Sequence, residues 1–120
     1  MRAFVAVATV LALLALAACS ASSESLEQRA CPPGGTPLTY DDFGAEFFAR
    51  WCDSCHSASS TDRNGAPADV TFDTQAQIVA WKDRIYANAA DDNTSMPLGP
   101  AGPDSETRHQ LGDWLACGAP

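Results

Sequence analysis

The chain has 120 residues, 46% of them hydrophobic, with fifteen acidic residues against seven basic ones and a net charge of −8. That length allows one domain, and the acidic balance excludes a nucleic-acid-binding surface, which needs a basic face. The charge suits plain solubility, or partners that carry basic docking patches and associate more slowly as salt rises.

Residues 1–18 read as an export signal. Met1 and Arg2 give a positive start, and an apolar run of about 15 residues, broken only by Thr9, leads to Ala18. A bilayer-spanning helix needs ~20 residues. The run ends Leu16-Ala17-Ala18-Cys19-Ser20, which resembles the bacterial lipobox. The resemblance implies lipidation at Cys19, an N-terminal lipid anchor in a bacterial membrane and an extracytoplasmic, periplasmic location. Ser20 favours the outer membrane by analogy with bacterial sorting rules. An ordinary cleaved signal or a simple membrane anchor also places the rest outside the cytoplasm.

From Cys19 onward, all fifteen acids face six bases, a net −9. Residues 19–37 read as a flexible Ser/Pro/Gly-rich tether: 20–30 are mostly polar, and Cys31-Pro-Pro-Gly-Gly-Thr-Pro37 is stiff and turn-rich. The folded domain is then 38–118. So small a domain has a marginal hydrophobic core by itself.

The first helix is predicted over about 40–52. Thr39 is its N-cap, Asp41 and Asp42 suit its first turn, and Tyr40, Phe43, Phe47, Phe48 and Trp51 recur at helical spacing. It ends in Cys52-Asp53-Ser54-Cys55-His56, a C-x-x-C-H run and the attachment signature of a c-type haem. Two thiols three residues apart reach the two vinyl groups of one porphyrin, and the following histidine becomes the proximal iron ligand. A zinc half-site completed by Cys31, Cys117 and His109 is an alternative. A thioredoxin-like pair is another, but it opens a helix after a strand, whereas this pair closes one.

Residues 57–72 read as a loop, rich in Ser, Asn, Gly, Ala and Pro. A second helix, about 74–90, starts at Asp73 or Thr74 and carries Ile78, Val79, Trp81, Ile85, Tyr86 and Ala89. Residues 91–103 form a second loop with Met96 in it. A third helix, about 104–116, carries Leu111, Trp114 and Leu115 on one stripe, with Gly118 past its end. Three helices and no strand pattern make the fold class all-α.

With Cys19 assigned to lipid and Cys52 and Cys55 to haem, Cys31 and Cys117 remain. An even pair in an oxidising compartment predicts a disulfide between them, worth about 3–4 kcal/mol by chain entropy. The sixth iron ligand follows from inventory. Beyond Cys19 the chain holds one methionine, Met96, and one histidine besides His56, namely His109. Met96 lies in a loop with no helical stripe to join, so core filler explains it poorly. His109 and an open position are the other choices. With His56 and Met96 both bound, the iron has no open site, which favours electron transfer over substrate chemistry.

Over residues 38–118 the chain resembles the small monohaem class I-type cytochromes c. Gly44 and Phe48 match a glycine and an aromatic four apart, with Phe48 four before Cys52. Leu111 and Trp114 match the pair on the last helix that packs on the first. The resemblance implies a cytochrome c-like fold of three main helices and long loops around one covalent haem c. It makes Pro67 the residue whose carbonyl meets the second nitrogen of His56. It makes Met96, followed by Pro97, the axial sulfur ligand. It implies a non-enzymatic carrier of single electrons between extracytoplasmic redox proteins, either a monomer or a subunit of a respiratory complex. Candidates to wall the haem are Trp81, Trp114, Phe47, Phe48, Phe72 and Tyr86. Trp81 and Phe72 are expected nearest it, and Trp114 and Phe48 mainly between helices. The long lead and the Cys31/Cys117 pair depart from the simplest members. The rival function is a haem-based sensor or peroxidase-like enzyme with an open sixth site. The Met96 loop offers no distal His or Arg pairing for it.

Overall fold

A computed structural model describes residues 24–120. The expected export signal and Cys19 lie outside the described residues. Four α-helices and no strand occur among them: α1 (Ala45–Trp51), α2 (Asp53–His56), α3 (Gln75–Ala89) and α4 (Ser105–Ala116). The fold is all-α. No helix of the described residues is long and apolar enough to cross a membrane.

The helices begin where capping chemistry places them. Thr39 accepts from the Asp42 amide and starts a π-helical turn, Tyr40–Gly44, that runs into α1. Thr74 and Gln77 form a reciprocal capping box at α3. Asp104 accepts from the Thr107 amide at α4, and this bond holds its carboxyl below the usual carboxylate range. At the far end of α3, the Tyr86 carbonyl accepts from the Ala90 amide and also from the Asn93 side chain, which ties the following loop to the last turn.

The core lies between α1, α3 and α4. Trp114, Tyr86, Phe48, Ile78, Leu111 and Leu115 are fully buried. The π-helical turn and α4 cross at Gly44, where a Cβ atom would stand 2.7 Å from the Trp114 ring. Only glycine permits that approach. Phe48 packs one turn further on, its ring 6.4 Å from that of Trp114. Trp114 thus packs on both Gly44 and Phe48, as the resemblance implies, and Leu111 is buried in the same core.

The N-terminal lead differs from expectation. The stretch 24–30 is packed rather than a free tether. Leu26, the large apolar residue of a polar segment, is buried in a 3-10 turn, Leu26–Gln28, that sits on α3 and α4. Arg29 pairs with Asp91 and Asp113. Cys31 and Cys117 form the expected disulfide, closing 86 residues of chain. These contacts hold the lead without help from its own composition.

Asp91 is the hub of this corner. It accepts from Arg29 at 3.0 Å, from the Tyr86 hydroxyl at 2.7 Å and from the His109 ring at 2.9 Å. Burial alone would push its carboxyl up, but these donors outweigh burial and hold it below the ordinary value. A depressed carboxylate contributes stability in full above its unfolded pKa, near 3.9, and loses it as pH falls through the folded value. Urea-denaturation midpoints should therefore fall as pH drops below about 4. Asp91→Asn should lower stability at neutral pH and flatten that acid slope. An unchanged slope in the variant would place the acid sensitivity elsewhere.

Candidate functional site

The C-x-x-C-H run occupies a single helical turn. The Cys52 amide donates to Phe48 at the end of α1, and the amides of Cys55 and His56 both donate to the Cys52 carbonyl, at 3.1 and 2.9 Å. Cys52 departs from helical geometry, with φ −121°, so α1 and α2 meet at a bend. The i, i+3 spacing puts both thiols on one side of the turn, and both are free.

His56 is fixed by a backbone partner. Its Nδ1 lies 3.1 Å from the Val70 carbonyl oxygen. A carbonyl can only accept, so Nδ1 carries the proton and the neutral ring keeps a lone pair on Nε2, the tautomer a metal ligand needs. The loop returns on itself to make this contact. The Phe72 amide donates to the His56 carbonyl at 2.8 Å, and the Phe72 ring stacks on the imidazole with centroids 4.7 Å apart.

The expected partner was Pro67, and the structure corrects it. The Pro67 carbonyl is engaged by the Val70 amide and by the Arg63 guanidinium. The turn that this pairing closes carries the carbonyl of Val70 to His56. Pro67 still lines the cavity described below.

Met96 is held by its backbone. Its amide donates to Asn88 at 2.8 Å and its carbonyl accepts from Arg108 at 2.9 Å. Arg108 is buried, and its guanidinium also meets the carbonyls of Ala89, Asn93 and Pro103. It forms no ion pair among the described residues. Burial lowers its pKa, yet an arginine stays charged. The cage of carbonyls takes the place of a counter-ion.

These elements enclose a cavity of about 530 Å³ lined mainly by apolar atoms. Cys52, Cys55, His56 and Met96 all line it, with Phe72, Trp81 and Pro67. Phe47, Trp51 and Ile85 complete its apolar wall. The volume is in the range of cofactor sites. Arg63 and Arg84 line it against one acid, Asp69, which suits an anionic group in an otherwise acidic chain.

Other candidates fall elsewhere. Phe48 and Trp114 belong to the helix-packing core and not to the cavity lining, as expected. Tyr86, a candidate wall residue, instead buries its ring among the helices because its hydroxyl is drawn to Asp91. His109 is exposed and tied to Asp91, away from the cavity lining. Val70, Trp51, Arg63, Arg84 and Arg108 were missed. Trp51 carried a signal, since it stands directly before Cys52 on the helix.

The geometry weighs against the other uses of C-x-x-C. Cys31 and Cys117 are bonded to each other, and no group of three or more Cys, His or acidic residues fit for a metal occurs among the described residues. Burial and the charge of Asp53 push the Cys52 thiol up to about 12. A reactive dithiol needs the opposite shift.

The chain matches no protein-family model, no curated protein and no solved structure.

Arg108→Met should cost about 3 kcal/mol, because four carbonyls lose a charged donor inside the fold. A urea titration reads the loss directly, and amide exchange at Met96 should quicken with it. Wild-type stability in the variant would show that water replaces the guanidinium freely.

Proposed function

We propose that this chain is an electron-transfer protein of the class I cytochrome c type, holding one covalent haem c in the cavity between His56 and Met96. The observation that carries the reading is the meeting of four groups in one apolar cavity: two free thiols on one helical turn, a histidine with Nε2 available, and a thioether. The donor set fits the group. Sulfur and imidazole suit a low-spin iron, and the two thiols suit thioether bonds to a porphyrin edge.

When bound, the haem supplies a one-electron iron couple. The chain's residues supply the rest. Cys52 and Cys55 would tether the ring. The Val70 carbonyl fixes the orientation of His56 and raises its basicity. Phe72 holds the imidazole plane by stacking on it. Met96 is presented by a loop anchored at both its amide and its carbonyl, so it can stay in place in either redox state. Trp81, Phe47 and Ile85 keep water from the centre. With His56 and Met96 both holding the metal, no open site would remain on it for a substrate. This favours a carrier over an enzyme.

The apolar leader and Cys19 support a location outside the cytoplasm on a lipid anchor, and the acidic balance suits redox partners with basic patches. The test is a pair of visible spectra from protein made with haem-attachment machinery. The ferric form should show the weak long-wavelength band of sulfur-to-iron charge transfer, and the ferrous form should be inert to carbon monoxide. Met96→Ala should lose the band and bind carbon monoxide. A wild-type ferrous protein that binds carbon monoxide readily would instead favour the sensor or peroxidase-like reading.

A further inference from the structure

Arg63 sits in the middle of the loop between α2 and α3, half-buried, and forms no ion pair among the described residues. Its guanidinium donates to four backbone carbonyls: Ser57, Ala66, Pro67 and Val70. The first three bonds staple the loop to itself. The fourth is different, because the Val70 oxygen is also the acceptor for His56 Nδ1. Arg63 Nη2 reaches it at 2.9 Å and His56 at 3.1 Å.

Two donors on one oxygen compete for its electron density. A charged donor takes the larger share. The carbonyl is then a weaker acceptor for the imidazole N–H, and the ring keeps less anionic character. A histidine so held gives less electron density to a metal on Nε2. The positive charge of Arg63, which no ion pair neutralises among the described residues, acts in the same direction by disfavouring the more oxidised state of a group in the cavity it lines.

We propose that Arg63 is a positioning residue that sets the redox poise of the site by restraining the hydrogen bond between Val70 and His56. The proposal rests on the haem reading above and adds to it the residue that tunes the couple. The net effect is to raise the potential, opposing the pull of an acidic surface toward the oxidised form.

The experiment is a redox titration of the haem-loaded protein and of Arg63→Gln and Arg63→Lys. At a fixed applied potential, R63Q should lower the ratio of reduced to oxidised protein by about tenfold, equivalent to 59 mV for one electron. R63K keeps the charge but loses the planar fork, and should shift the ratio in the same direction by about threefold. In ferrous R63Q the proton resonance of His56 Nδ1 should move downfield as its hydrogen bond strengthens. A mere loop staple would lower thermal stability in both variants and leave the potential and the Nδ1 resonance in place. That result, with haem still attached, would overturn this inference alone. Should R63Q not fold, R63K and its Nδ1 resonance decide the matter. Wild-type protein that acquires no covalent haem would overturn the reading beneath, and this proposal with it.

Discussion

The carbonyl oxygen of Val70 receives the protonated nitrogen of His56 on one side and the guanidinium of Arg63 on the other. Much of the site depends on this one acceptor. It selects the imidazole tautomer, so that Nε2 keeps its lone pair. It requires the loop after α2 to fold back, which in turn brings the Phe72 amide to the His56 carbonyl and its ring onto the imidazole. The loop has no regular structure of its own to hold it there. Arg63 supplies the missing order by gathering its carbonyls, as a ladder of amides would in a helix or sheet.

The same device recurs in the second long loop. Arg108 gathers four carbonyls around a buried charge, one of them that of Met96. Burying a guanidinium is costly unless hydrogen bonds replace its lost hydration. Here the engagement is with main-chain oxygens, and the gain is a loop of irregular backbone held in one conformation. A domain of about 80 residues with a cavity at its centre has little core to spare. Its stability comes instead from a tight helix crossing at Gly44 and Trp114, from the disulfide, and from the ion cluster around Asp91.

The helices were legible in the sequence because their signals are local. Thr39, Thr74 and Asp104 cap within a residue or two of the predicted starts. Cys52, Cys55 and His56 were singled out by their spacing and Met96 by the scarcity of other sulfur or imidazole donors, and the structure brings all four to one cavity. The choice of Val70 over Pro67 was not legible, since a backbone carbonyl carries no residue-type signal and the turn geometry decides which one arrives. Arg108 was hidden for a related reason: a lone arginine on a helix reads as a solvated face, and only the fold shows the carbonyls that converge on it. The packed lead was missed because one leucine and one arginine do not outweigh a polar, glycine-rich composition. The partners of Arg29, Asp91 and Asp113, lie more than 60 residues away in sequence.

The cavity brings two free thiols, an imidazole and a thioether together, and the proposed function requires a haem held there covalently. Denaturing mass spectrometry of protein produced with haem-attachment machinery tests it most directly. The expected result is a chain heavier by one haem, with the added mass retained under acid and organic solvent and found on the proteolytic fragment that contains Cys52 to His56. A chain of unmodified mass, or a haem that extracts freely into solvent, would contradict it.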